Sequence, residues 1–281
     1  MKFSNPSFCI ITPTAYLEPF ATKSKTHLVL AHLVDKDEKY ANFYKMRRES
    51  GDFIIMDCSS YEMLTPYAPD KLVELGTYCG ANAIVLPDYP FQPSQKTVDT
   101  AKQFIPQFKQ AGFLTAFVPQ SEKGNLKDWM NGYVWASNNT DVDILCYSIL
   151  GVPNALPHIN PTYARVVMAS LLREQGLFAD HKHNHCLGLN SGPNLEIPSL
   201  LKMNALDTLD SSNPCWVGIL GHEYTSNSDS FLSVSKPTVP VDFNIPLTKN
   251  VETLNRINHN IDMTLKLFKK NQTDKVWYAV E

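Results

Sequence analysis

The sequence predicts an α/β protein, a (β/α)8 TIM barrel, and three observations carry that prediction. Eight short apolar runs, rich in Ile, Val, Leu and Phe, recur along the 281 residues. Runs of this length read as parallel strands buried on both faces, and helical patterns separate most of them. Several close on a polar residue: FIIMD ends at Asp57, AIVLPD at Asp88, TAFVPQ at Gln120 and ALDTLD at Asp210. In a parallel barrel such ends converge on one face, which is where active sites lie. The competing arrangement is an open doubly wound sheet, but no glycine-rich phosphate loop follows the first run.

The strands are expected at 7–12, 28–33, 53–57, 83–88, 114–119, 144–149, 185–189 and 205–210. Residues 13–27 are too irregular for a full helix, so the first unit is degenerate. Residues 36–50 are charged and helix-prone. Residues 69–79 open on Pro-Asp and carry Leu72, Val73 and Leu75. A helix over 94–111 starts at Ser94, read as its N-cap. Asn160-Pro161 is an N-cap followed by Pro at the first helical position, with Val167, Leu171 and Leu172 as the apolar face. The last helix, about 247–271, repeats Val251, Leu254, Ile257, Ile261, Leu265 and Phe268 at helical spacing. The chain therefore reads as one domain, 1–281. An insertion at about 211–246, with four prolines and with Cys215, His222 and Glu223, lies between strand eight and that helix, on the catalytic face.

Composition narrows the class. Hydrophobic residues make up 43%, enough for a full core. No run of 18 apolar residues predicts a membrane span, and the N-terminus lacks the apolar stretch of a signal peptide. The six cysteines (9, 58, 79, 146, 186 and 215) are scattered, as free thiols are in a reducing compartment. A cytoplasmic protein is expected. A net charge of −3 gives no global pull on nucleic acid, so such binding needs a local basic patch. Lys123 and Lys127, after Gln120, are the candidates. His181, His183 and His185 alternate like metal ligands, but they precede strand seven and read as a solvated loop at the opposite end of the barrel. Lys45, Arg47 and Arg48 read as a helix C-terminus.

Three carboxylates and a carboxamide at one barrel mouth predict a site that reads a polar planar ligand by acid/base or nucleophilic chemistry. Along strand eight, Asp207 and Asp210 point to opposite faces because their spacing is odd. Asp210, nearer the mouth, is the one expected inside.

At these residues the chain resembles the tRNA-guanine transglycosylase superfamily. The family's Asp-Ser-Gly-Gly-(Phe/Tyr)-Gln motif is similar to Asp57-Cys58-Ser59-Ser60-Tyr61-Glu62. Its purine-reading Asp resembles Asp88, and the Gln of its Val-Gln-Gly turn resembles Gln120. Its glycine-rich segment after strand six resembles Ser148-Ile149-Leu150-Gly151. Its Leu-Met-Gly-Val-Gly resembles Cys186-Leu187-Gly188-Leu189-Asn190. Its Asp-Met-Phe-Asp-Cys-Val-Leu-Pro, whose second Asp is the nucleophile, resembles residues 207–214 with Pro214 at the same offset. Order and placement agree across residues 50–214. The chain departs from the family at Ser59-Ser60, at Glu62 and in the zinc subdomain: one cysteine, Cys215, stands where a Cys-x-Cys-x-x-Cys would lie. The tRNA-binding appendages are missing too. This pattern resembles the compact viral branch, which exchanges guanine in DNA for a 7-deazaguanine derivative.

The resemblance implies a glycosyl transfer without metal or other cofactor. Asp210 is the expected nucleophile, forming a covalent glycosyl-enzyme as retaining glycosidases do. Asp57 is the expected general acid/base. Asp88 accepts from guanine N–H groups and the Gln120 amide donates to its carbonyl. Tyr61, with Leu187 opposite, sandwiches the ring; Ser60, Ser148, Gly151 and Gly188 complete the substrate site. The expected partners are duplex DNA with a flipped guanine and a free 7-deazaguanine base. For a viral protein the location becomes the host cytoplasm. The alternatives are the same exchange on tRNA, a non-catalytic paralogue, and an unrelated barrel glycosidase.

Overall fold

The computed structural model describes residues 5–63, 65–190, 192–225 and 242–270. Its strands are β1 (Ser7–Ile10), β2 (Thr26–Leu30), β3 (Phe53–Asp57), β4 (Ala83–Val85), β5 (Leu114–Phe117), β6 (Ile144–Ser148), β7 (His183–Leu187) and β8 (Thr208–Ser211). Every paired neighbour is parallel, in the order β1-β8-β7-β6-β5-β4-β3-β2. Among the described residues β1 and β2 pack together without ladder bonds. The result is a nearly closed eight-stranded barrel ringed by helices, the predicted (β/α)8 architecture.

The first unit is degenerate, as expected. A single turn, α1 (Leu17–Phe20), sits between 3-10 turns at Thr14–Tyr16 and Ala21–Lys23. The run expected as a strand over 28–33 instead breaks after Leu30 into α2 (Ala31–Lys36). Ala31, Leu33 and Val34 are buried there as thoroughly as the strand before them, so the apolar run spans two elements. The helix α3 (Glu38–Glu49) follows, capped by Asp37, whose carboxylate accepts from the Lys39 and Tyr40 amides.

After β3 come α4 (Ser60–Met63) and α5 (Pro69–Cys79), the latter stopped by Gly80 at φ 74°. The helix α6 (Ser94–Gln110) includes Ser94 rather than being capped by it. The Ser94 amide and hydroxyl both donate to Asp128, in the first turn of α7 (Leu126–Asn138). A short α8 (Gly151–Ala155) precedes α9 (Pro161–Glu174), where Asn160 accepts from the Thr162 amide as the cap rule predicts. The buried face of α9 is Ala164, Arg165, Met168, Ala169 and Leu172, one step round from the face expected. The remaining helices are α10 (Pro193–Lys202), α11 (Asn213–Ile219) and α12 (Val251–Lys270).

The insertion after β8 is partly described. Its first part, α11, lies tight on α12: a Cβ at Gly218 would fall within 2.9 Å of the Ile257 backbone. Asn260 of α12 binds the following turn, accepting from the Tyr224 amide and donating to the Pro214 and His222 carbonyls. Residues 226–241, with Pro237 and Pro240, lie outside the described residues. From 242 the chain returns over the mouth, where the Phe243 carbonyl accepts from Thr14 and its ring meets His32 edge-on. Among the described residues no helix is long and apolar enough to cross a membrane.

Candidate functional site

The four polar strand ends converge at the C-terminal end of the barrel. Asp57 is the last residue of β3, and Asp210 lies one short of the end of β8. Asp88 and Gln120 each stand three residues beyond their strands, β4 and β5. Asp88 is the hub. Its Oδ1 accepts from the Ser60 hydroxyl at 2.7 Å and the Cys58 thiol at 3.2 Å; its Oδ2 accepts from Gln120 Nε2 at 2.6 Å. The groups expected to read a ligand therefore bond one another, and Ser60 enters the site through Asp88.

Gln120 Nε2 spends one N–H on Asp88, while its buried Oε1 has no hydrogen-bond partner. Gly151 backs that oxygen: a Cβ there would sit 3.1 Å from Oε1. The Ser148 hydroxyl accepts from the Leu150 and Gly151 amides and so holds the turn that makes this close approach. These two residues shape the site from behind.

Ser59 has a φ of 57°, the left-handed conformation that glycine favours. A non-glycine residue there costs about 1–2 kcal/mol. The Ser59 hydroxyl offsets part of that cost by accepting from the His32 amide at 3.2 Å and meeting His32 Nδ1 at 3.0 Å. The turn aims the Ser59 amide at Asp57 Oδ2, 2.8 Å away.

The carboxylates feel one another. Burial pushes Asp57 well above the usual carboxylate range; the charges of Glu62 and Asp88, and then of Asp210, push the same way against the Ser59 amide. Burial also raises Asp88, opposed by its bonds from Ser60, Cys58 and Gln120. Glu62 is raised first by desolvation, against a backbone hydrogen bond, with Asp210 and Asp88 pushing the same way as desolvation. Like charge and burial at this mouth both push Asp57 towards its protonated form.

Asp210 is buried beside β7. Its Oδ1 meets His185 Nε2 and the Gly188 amide, each at 3.1 Å. Asp207 precedes β8 and accepts from the Asn184 amide. The alternation argument therefore placed the two correctly. The histidines do not form the solvated loop expected of them. His183 and His185 lie within β7, fully buried and on the inward side, whereas only His181 is exposed. The strand starts two residues earlier than predicted, because polar side chains inside a barrel satisfy each other and do not look like strand filler. The alternation His183, His185, Leu187 carried the signal.

A second feature escaped the sequence. Arg165 of α9 and Glu196 of α10 form a buried fork-to-fork pair, Nε to Oε1 at 2.6 Å and Nη2 to Oε2 at 2.7 Å. The remaining guanidinium hydrogens bind the carbonyls of Tyr147, Leu187 and Gly188. Arg165 thus holds the β6 and β7 ends from behind. Gly188 is pinned on both sides, through its carbonyl by Arg165 and through its amide by Asp210. Its φ is 78°, and a Cβ there would meet Ile149 at 2.8 Å.

The other expected residues lie at the periphery. Tyr61 is 65% exposed on α4, and Leu187 is half-buried at the end of β7. Lys123 is exposed in the loop after β5. Lys127 is exposed at the start of α7 and borders an outer groove of about 730 Å³ with Trp135 and Leu177. Arg47 does more than end a helix: at the barrel's other end it binds the buried Asp52 beside His27. Among the described residues no group of three or more His, Cys, Asp or Glu side chains is arranged to hold a metal ion.

Fold and site together define a parallel barrel with an acidic, carboxamide-bearing mouth at its strand C-termini. No family model matches the chain, and no curated protein matches it.

Proposed function

We propose that this protein is a base-exchange glycosyltransferase that replaces guanine in DNA with a 7-deazaguanine derivative. The observation that carries this is the division between two carboxylates at one barrel mouth. Asp57 is pushed towards its protonated form by burial and like charge. Asp210 has one oxygen engaged by His185 Nε2 and the Gly188 amide, so the other is left for attack. Paired carboxylates in unlike environments are what acid-assisted nucleophilic displacement at a sugar carbon needs.

In the first half-reaction Asp210 Oδ2 bonds to C1′ as the C1′–N9 bond breaks. The bonding pair stays with guanine, and Asp57 supplies the proton it takes up. In the second half the incoming base attacks C1′, gives a proton to Asp57, and Asp210 leaves as carboxylate. Base entry exchanges the internal bonds of Asp88 and Gln120 for bonds to the purine edge: Asp88 accepts from its N–H groups, while the free second N–H of Gln120 and its unpartnered Oε1 serve either polarity. Tyr61 and Leu187 flank the ring, and Lys123 and Lys127 contact phosphates. In a duplex the guanine must first leave the stack.

The test is incorporation of labelled guanine into duplex DNA and, in parallel, into tRNA. Asp210→Ala is expected to cut exchange by about 10⁴-fold or more and to abolish any trapped covalent adduct. Asp207→Ala, facing away, is expected to keep exchange. Incorporation into tRNA alone would move the activity to the other polymer. A folded Asp210→Ala protein that still exchanges guanine would overturn the assignment.

A further inference from the structure

Behind Asp210 runs a buried polar chain that the exchange reaction as described above does not use. His185 Nε2 lies 3.1 Å from Asp210 Oδ1, and its Nδ1 lies 2.7 Å from the Thr208 hydroxyl. The same hydroxyl lies 2.7 Å from His183 Nε2. The three residues are at most 2% exposed. Thr208 and Asp210 share the inward side of β8, as His183 and His185 share that of β7, so the chain is built into the register in which His185 pairs with Thr208.

The proton positions follow from the chemistry of each group. An attacking carboxylate offers only lone pairs, so the facing His185 Nε2 must carry hydrogen. A neutral imidazole then presents a bare Nδ1, and the Thr208 hydroxyl has one hydrogen to give it. The Thr208 oxygen is left accepting from His183 Nε2–H. Every bond then runs one way, towards Asp210.

We infer that His183 and Thr208 lock His185 in its Nε2–H tautomer, and that His185 is a positioning residue which commits Asp210 Oδ1 to hydrogen bonding and leaves Oδ2 to attack the sugar. This rests on the nucleophilic role proposed for Asp210. When Oδ2 bonds to C1′, Oδ1 becomes the ester carbonyl oxygen. When that ester breaks, the electron pair of the C1′–Oδ2 bond returns to the carboxylate, and the His185 and Gly188 N–H groups already face the oxygen that shares the charge. Such pre-aligned donors assist a leaving carboxylate without moving.

Thr208→Val is the discriminating variant, because valine keeps the shape and removes both the hydroxyl donor and acceptor. Without the lock His185 also populates the Nδ1–H form, which turns a lone pair towards Asp210. Covalent adduct formation in single turnover is expected to slow by about 10–100-fold, a usual range for losing an orienting partner, with DNA affinity unchanged. His185→Gln places an amide N–H near the Nε2 position and has no tautomers. It should keep most of the activity, and adding Thr208→Val to it should cost little more. Equal losses from Thr208→Val in both backgrounds would mean a structural role only and would overturn the inference. So would an unchanged rate in the wild-type background.

Imidazole ¹⁵N shifts read the tautomer without any substrate. The expected spectrum has His185 as Nε2–H in the native protein and mixed in Thr208→Val. A doubly protonated His185, or no change in Thr208→Val, would refute the lock even in an active enzyme. Absence of base exchange in the native protein with the expected ¹⁵N spectrum would instead sink the proposed function and leave the lock standing.

Discussion

Replacing Arg165 with Met should cost more stability than almost any other single change in this barrel. All five guanidinium N–H groups are used: two on Glu196 and three on the Tyr147, Leu187 and Gly188 carbonyls. Met approximates the length of the stem but leaves the Glu196 carboxylate buried and unpaired. Breaking one side of such a pair costs about 3–5 kcal/mol. Two features pull towards the lower end. Glu196 sits in the first turn of α10, where the helix dipole favours its charge. The Leu187 carbonyl also keeps a donor, the Ile149 amide at 2.9 Å. Even 3 kcal/mol is a large share of the roughly 5–15 kcal/mol that folds a typical domain. The assay is urea unfolding, where a slope near 3 kcal/mol/M converts this loss to a midpoint shift of about 1 M. The double change Arg165→Met/Glu196→Met removes the orphaned charge and should recover most of the loss. A single variant that loses under about 1 kcal/mol, or a double variant as damaged as the single, would refute the claim that the uncompensated charge sets the cost.

Two further outcomes follow from the carboxylates. The folded state holds the Asp57 proton more tightly than the unfolded chain, so native stability falls as pH rises from the ordinary carboxylate range near 4. Asp57→Asn should therefore match the native protein in thermal melting near pH 3 and exceed it increasingly towards pH 7, while losing base exchange; a destabilised Asn variant at neutral pH would contradict this. Asp52 behaves oppositely: burial works against its charge, but the hydrogen bonds from His27 and Arg47 hold it below its ordinary range. Its stabilisation is present above the unfolded pKa and lost as pH falls through the folded one. Asp52→Ala should cost about 3 kcal/mol at neutral pH by stranding His27 and Arg47, with a gap that closes in acid. Exchange per folded molecule should be unchanged, since this cluster lies at the strands' N-terminal end. A stable Asp52→Ala protein would show that the cluster is idle.

What the sequence made legible depended on whether a residue's partner was local. The bounds of α5 come from Pro69 at its first position and Gly80 just past its end, both readable from the chain alone. The β3 run closes on Asp57 as written, because a polar residue after four apolar ones marks the strand's exit to the mouth. Where burial is complete, periodicity stops distinguishing elements. Leu28 to Val34 is one apolar stretch, yet it folds as the end of a strand and the start of a helix. Ser94 looked like a cap because the partner that claims it, Asp128, lies 34 residues away. Arg165 and Glu196 are 31 residues apart, with no signal in either segment.

The histidines show the same limit at the point where it matters most for chemistry. A lone polar residue in a strand argues against a buried strand, since an unpaired polar group inside costs more than a hydrogen bond returns. That rule inverts when register supplies the partner. His185 faces Thr208 across the β7–β8 ladder, and the Thr208 hydroxyl also reaches His183 Nε2. The sequence places both strands but starts β7 two residues late; together they form a polar column that ends on Asp210. The two carboxylates of the proposed reaction therefore stand in unlike surroundings. Asp57 is raised by burial and by the like charges around it, with a single backbone donor opposing them. Asp210 stands at the end of that column, with its Oδ1 also accepting from the Gly188 amide. On the proposed mechanism, exchanging these surroundings, rather than the residues themselves, would exchange the acid and nucleophile roles.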